Sequence, residues 1–431
     1  MINILIVYYS LDYPLRTTVA DHLYAFQRYA RHRCFYLNLA LWHPPGYLRR
    51  VHFDLIVFHT IFLSQRWDIP RFRRLVKRAR PLRELNGIKI ALPQDEFLNT
   101  DVLCDFINDF DVQYVFSVMP ESEWPKIYAS VDPARTKFFK VLTGYLDEDT
   151  LSRIGRLGQS IPSRPVDIGY RAWRSAPWLG RHGILKSQIA EVFGEHAPRK
   201  GLVTDISTRD QDTLKGDAWY EFLLRCKYTI GVEGGASILD RDGTIKEKTE
   251  LYLERSPGAS FDEIENHCFP GVDGSARLFA ISPRHLEACA TRTCQVLIEG
   301  EYNGIMKAGV HFIELKRDFS NLEDVLEVIK RDAARREITE QAYRDVVASG
   351  EYTYRRFVES VLEKSLGDAR SSPQSFRTFL DWRWSQFADR LSWAEVATWV
   401  GYRRLITNTP TLIQSALRPF EQIMRWVLLR P

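Results

Sequence analysis

Over its first 150 residues this chain alternates short apolar runs with longer helical patterns, and that alternation is what most constrains its fold. Residues 2–8, 55–60, 88–92 and 114–118 are short and rich in β-branched or aromatic side chains, while 17–31 and 69–79 read as helices between them. Strands alternating with helices predict βαβ units and a parallel sheet. In such sheets ligands bind beyond the C-terminal strand ends, so the residues just after each run carry the functional information.

A second alternating series starts near Val166, with strands expected at 166–170, 202–206, 228–232, 278–281, 295–298 and 311–315 and helices at 184–193 and 218–226. Pro162-Ser163-Arg164-Pro165 reads as a linker, because proline cannot continue a helix and restricts the residue before it. A chain of 431 residues is too long for one typical domain. The expectation is two Rossmann-like α/β domains, over 1–160 and 165–365. After Asn321 the pattern turns purely helical (322–330, 340–349 and 355–364), and 366–431 reads as an α-helical extension holding Trp382, Trp384, Trp393, Trp399 and Trp426.

Net charge is only +4 and the basic residues are scattered, so a nucleic-acid partner is not expected. The six cysteines form no CxxC pair, which in a chain this long reads as reduced, buried thiols in a cytoplasmic protein. The opening MINILIVYYS has no basic region before its apolar run and no small-residue cleavage site after it. It reads as a first strand, and no signal peptide is expected. No stretch reaches the roughly 18–20 apolar residues of a membrane span.

The most informative stretch is ISPRHLEACATRTCQVLIEGE, from Ile281 to Glu301. Ser282 suits an N-cap and Pro283 the first helical position. Such a helix start has unpartnered N–H groups that attract a diphosphate, and Arg284 adds a full charge beside it. Glu287, one turn on, is placed to accept from two vicinal ribose hydroxyls; the alternative is a plain capped surface helix.

The order of elements over about 282–365 resembles the C-terminal portion of GT-B glycosyltransferases with a glycosyltransferase-1-type domain. In that resemblance Glu287-Ala288 matches the nucleotide-ribose glutamate. Residues 299–304, including Glu301, match the loop under the donor sugar and diphosphate. The family's close pair of glutamates is absent, since Phe279 stands where the first would be. Gly231-Val232-Glu233-Gly234-Gly235 resembles the displaced "E-G" element, which implies a catalytic role for Glu233 and a ligand approach at Gly234. Arg171, after the second half's first strand, and Lys186, on the next helix, resemble the family's pair of diphosphate-binding cations. Two cations there would neutralise the leaving group.

In the first half, Pro93-Gln94-Asp95-Glu96-Phe97 follows a strand, where the acceptor of a GT-B enzyme would lie. Asp95 is a candidate catalytic carboxylate, with Gln94, Glu96 and His59 as acceptor-binding candidates. An N-cap role for Asp95 and a satisfied polar role for His59 are the alternatives. Asp240-Arg241-Asp242 has the form of a metal motif, but Gly243 follows it; it reads as a turn, and no metal is expected. In the tail, Ile413, Leu417, Phe420, Met424 and Val427 make one helical stripe, suited to packing back on the first domain or to lying on a membrane surface.

Taken together, the expected activity is transfer from a nucleotide sugar, with no further cofactor, to a saccharide or lipid-linked acceptor. Metal-independent retention is favoured over inversion. A GT-B-shaped epimerase and a non-catalytic nucleotide-sugar-binding scaffold are the alternatives.

Overall fold

The segment NILIVY is apolar without alternation and buried along its whole length, as a central strand covered on both faces must be. In the computed structural model, which describes residues 1–367 and 375–407, it is β1 (Asn3–Tyr8). With β2 (Arg33–Asn38), β3 (Leu55–Phe58), β4 (Ile88–Ala91), β5 (Tyr114–Ser117) and β6 (Lys137–Lys140) it forms an all-parallel sheet in the order β2-β1-β3-β4-β5-β6. The second half contributes β7 (Val166–Arg171), β8 (Thr204–Ser207), β9 (Cys226–Gly231), β10 (Gly234–Ala236), β11 (Leu278–Ala280), β12 (Cys294–Ile298) and β13 (Ile313–Leu315). Five of these make a second all-parallel sheet, β13-β12-β9-β7-β8. The fold is therefore two Rossmann-like domains with a helical C-terminal extension.

In each sheet the chain runs outward from its first strand to its second, then crosses to the other side of the first for its third. The switch points lie between β1 and β3 and between β7 and β9, where an open parallel sheet leaves a crevice beyond its strand ends.

Three features differ from expectation. The edge strands β2 and β6 were not anticipated. The run 278–281 does form a strand, but outside the second sheet: β11 pairs antiparallel with β10. Gly235 makes that pairing possible, since it sits at φ +119° and a Cβ there would stand 1.8 Å from the Leu278 carbonyl oxygen. The domain boundary is also crossed twice. Helix Glu148–Ser160 contributes Ile154 to a second-domain cluster with Tyr220 and Leu286. Helix Tyr354–Leu366, assigned to the second domain by sequence, packs Tyr354, Phe357, Val358 and Val361 against β1 and the helix Thr17–Tyr29.

Helix Phe376–Thr407 lies along β2, the edge of the first sheet. Its side chains satisfy the edge directly: Trp382 and Gln386 donate to the Cys34 carbonyl, and the Ser385 hydroxyl accepts from the Tyr36 N–H. Asp389 accepts from Tyr8 and Tyr24. A covered edge cannot recruit another strand. The stripe from Ile413 to Val427 lies outside the described residues. Among those described, no helix is long and apolar enough to cross a membrane, and all six cysteines are buried free thiols.

Candidate active site

A cleft of about 700 Å³ opens where the C-terminal strand ends of the two sheets face each other. Its first-domain wall includes Arg16, His22, Gln94, Asp95 and Thr143. Its second-domain wall includes Arg171, Lys186, Gly234, Ser282, Arg284 and Glu287, with Trp173 and Trp219. Eight of the twelve residues singled out from sequence meet here: Gln94, Asp95, Arg171, Lys186, Gly234, Ser282, Arg284 and Glu287. Four do not line the cleft: His59, Glu96, Glu233 and Glu301.

Glu287 is buried, and its carboxylate accepts from the Trp219 indole N–H at 2.7 Å and the Tyr220 hydroxyl at 3.5 Å. Burial raises its pKa, against the Trp219 hydrogen bond and the charge of Arg284. The carboxylate is thus held in one orientation at the cleft, with lone pairs to spare. Ser282 precedes helix Pro283–Ala290 and its hydroxyl does not cap it, so that helix start and the hydroxyl both border the cleft.

The two expected phosphate cations differ. Arg171 is tied down: it donates to the Asp205 carboxylate at 2.7 Å and to the Tyr170 and Asp205 carbonyls, and its guanidinium lies over the Phe222 ring. Asp205 neutralises it, which corrects the expectation of a free phosphate ligand. Lys186 has no ion pair among the described residues. Burial lowers its pKa first and Arg284 further, with Asp95 opposing. Arg284 donates to the Arg171 carbonyl and lies 5.6 Å from the Trp219 ring centroid. Arg16, unmarked in the sequence, stacks 4.2 Å over Trp173; burial lowers its pKa, and so does Arg284. Lys186, Arg16 and Arg284 thus bring three cations to the cleft that form no ion pair among the described residues, with Asp95 and Glu287 as the nearby carboxylates.

Asp95 sits at φ +53° with its side chain on the cleft. It is not an N-cap, since the next helix, Thr100–Asp109, is preceded by Asn99. Burial raises its pKa, opposed by Arg66 and Lys186. The loop carrying it is fixed by Arg66, a fully buried guanidinium that donates to the carbonyls of Leu63, Gln94, Asp95 and Leu98. Gln94 donates to the Thr143 carbonyl at 2.8 Å.

Glu96 points away from the cleft. Its carboxylate accepts from the Ser117 and Tyr128 hydroxyls and the Val118 N–H, and burial pushes its pKa up to about 7. It is an anchor for strand ends, not an acceptor ligand. Glu233 is likewise turned inward, accepting from the N–H groups of Glu301 and Tyr302 at 3.2 and 2.8 Å. Gly300 packs against it so closely that a Cβ there would stand 2.4 Å from the carboxylate. Glu233 clamps the 299–304 loop and cannot act as a cleft carboxylate in this arrangement. Glu301 faces solvent and pairs with Arg277 at 3.5 Å. Asp240 and Asp242 accept from backbone N–H groups at the start of helix Thr244–Arg255, the turn expected from Gly243.

His59 is buried one layer behind the cleft, and the residue it supports, His22, was missed. The Ile61 N–H donates to His59 Nδ1 at 3.3 Å, so the His59 proton resides on Nε2. That N–H points at His22 Nδ1, 2.7 Å away, so the His22 proton lies on Nε2, the nitrogen left for the cleft. His22 is pushed down to about 4 by burial and stays neutral. It therefore presents a hydrogen-bond donor, not a base. An NMR titration should show the His22 ring unresponsive between about pH 5 and 8 with its proton on Nε2; a midpoint near the ordinary histidine value would contradict this tautomer.

No protein-family model and no curated protein matches the chain. Among solved structures it is similar to Anabaena Alr3699/HepE in complex with UDP-glucose, at 12% identity and a TM-score of 0.45 over 84% of this chain and 100% of that one. It is also similar to apo OtsA, at 10% identity and a TM-score of 0.45 over 86% and 100%. A third likeness is to sucrose-phosphate synthase from Thermosynechococcus elongatus, at 9% identity and a TM-score of 0.43 over 84% and 98%. At these scores the likeness is one of outline, and the functional reading rests on the residues of the cleft.

Proposed function

We propose that this protein is a glycosyltransferase of GT-B type, moving a sugar from a nucleoside-diphosphate sugar to a saccharide or lipid-linked acceptor. The observation that carries the reading is the meeting, in one interdomain cleft, of the cations Lys186, Arg16 and Arg284, none ion-paired among the described residues, with the preorganised carboxylate of Glu287. The cations suit a diphosphate, and Glu287 suits a pair of vicinal hydroxyls on the nucleoside. Trp219 and Trp173 offer flat apolar surface beside them. As the glycosidic bond breaks, negative charge grows on the leaving diphosphate, where Lys186, Arg284 and the helix start at Ser282 stabilise it without a metal.

Calorimetric titration of the full chain with nucleoside diphosphates and their sugars tests this: micromolar to millimolar binding is expected, and none across the panel would refute it. Glu287→Ala should weaken donor binding roughly ten- to hundred-fold, the loss of charge-assisted hydrogen bonds worth about 1.5–3 kcal/mol, with the fold intact. Unchanged affinity would remove the ribose role.

We further propose retention, with the departing phosphate taking the acceptor proton. His22 offers the acceptor an N–H, and Asp95 is the one carboxylate among the first-domain lining residues. Asp95 then orients the acceptor. Asp95→Asn should raise the acceptor KM more than it lowers kcat. An inverted product by NMR, with turnover falling about 10²–10⁴-fold in Asp95→Asn, would make Asp95 the general base instead.

A further inference from the structure

Helix Phe376–Thr407 buries one side and exposes large apolar side chains on another. Its inner side covers β2, with Ser385, Asp389, Ser392, Val396 and Trp399 buried. Its outer side carries Phe376, Leu380, Trp384, Phe387 and Leu391, each between 40% and 75% exposed. Their spacing of four, four, three and four residues sets them in a single stripe. Nothing among the described residues packs over this stripe, although ordinary surfaces seldom leave so many large apolar side chains in a row.

The fully exposed charges on the same side are of one sign, while Glu395, one turn beyond Leu391 on the stripe, is half-buried. Arg377, Arg383 and Arg390 are exposed among the apolar residues, and no acidic residue described in this helix is exposed. Asp381 is paired with Arg50, and Asp389 is buried under Tyr8 and Tyr24. A second copy of the chain, docked through the same stripe, would bring exposed arginines against exposed arginines, with only the half-buried Glu395 of each to offset them. An anionic bilayer offers both complements at once: acyl boundary for the aromatic and leucine side chains, and headgroup phosphates for the arginines.

We propose that the outer face of this helix is a peripheral docking surface for anionic lipid, on which the protein lies without spanning the bilayer. This does not depend on the activity assigned to the cleft. Phosphatidylcholine vesicles, with and without phosphatidylglycerol, test it by co-sedimentation of the full chain.

The wild type should bind the phosphatidylglycerol vesicles, more weakly as salt rises. Trp384→Glu combined with Phe387→Glu alters only exposed positions. It should lower partitioning at least about tenfold with the thermal midpoint unchanged. Arg377→Gln, Arg383→Gln and Arg390→Gln together should erase the preference for the anionic lipid. Absence of wild-type binding, or binding undiminished in the Trp384/Phe387 variant, would overturn the proposal. So would a solution dimer that the same variant dissociates, which would assign the face to a second copy.

Discussion

Lys186→Met should lower turnover about 10²–10³-fold while leaving the thermal midpoint unchanged or raised. The two halves of this expectation come from one feature. Lys186 is half-buried in the cleft wall with no ion pair among the described residues, and burial and Arg284 both disfavour its charged form. A folded chain keeps such a charge at a cost, and a methionine of similar length keeps the packing of the stem while removing the charge. What is lost is the group that meets the developing charge on the leaving diphosphate. Steady-state kinetics and a thermal melt on the same preparation check it. Near-wild-type turnover would take Lys186 out of the site, and a large fall in stability would make it a structural residue.

Arg66→Met should have the opposite profile: a loss of about 3–5 kcal/mol in stability, with activity falling as a consequence. Four carbonyls, those of Leu63, Gln94, Asp95 and Leu98, share this one buried guanidinium. Methionine fills much of the volume but leaves all four without this donor, those of Leu63 and Leu98 in the buried interior. Arg66→Lys should restore little, because an ammonium group lacks the planar fork that reaches several acceptors. Denaturant unfolding measures the change, and a shift below about 1 kcal/mol would show that water replaces the lost donors.

Much of the fold was legible because it rests on local pattern. β1, β3, β4, β5, β9 and β12 are mostly apolar runs, buried along most of their length, and such runs stand out between helices. β2 and β6 did not stand out, since RCFYLN and KFFK mix charge and polarity as edge strands do. The run 278–281 is as apolar as a central strand, but its partner is β10, whose Gly235 conformation is invisible in the sequence.

The site was legible where the functional group and its helix are adjacent, as in Ser282-Pro283-Arg284 and Glu287. It was misread where the deciding partner is distant in the chain. Asp205, 34 residues on, neutralises Arg171, and the N–H groups of Glu301 and Tyr302, almost 70 residues away, turn Glu233 inward. His22 and Arg16 carry no motif. The helix Thr17–Tyr29 was anticipated, but the burial of its Asp21 and His22 shows only in the structure.

A cleft that binds a nucleoside-diphosphate sugar and breaks its glycosidic bond must release the nucleoside diphosphate. The most direct measurement is release of nucleoside diphosphate from a panel of uridine, guanosine, adenosine and thymidine diphosphate sugars, with wild type and Lys186→Met run side by side. The wild type should release nucleotide slowly from one or a few donors and faster once a suitable saccharide acceptor is present, and the variant close to none. A folded wild-type chain that neither binds nor cleaves any donor, or a Lys186→Met variant that releases nucleotide as fast as wild type, would contradict the proposed function.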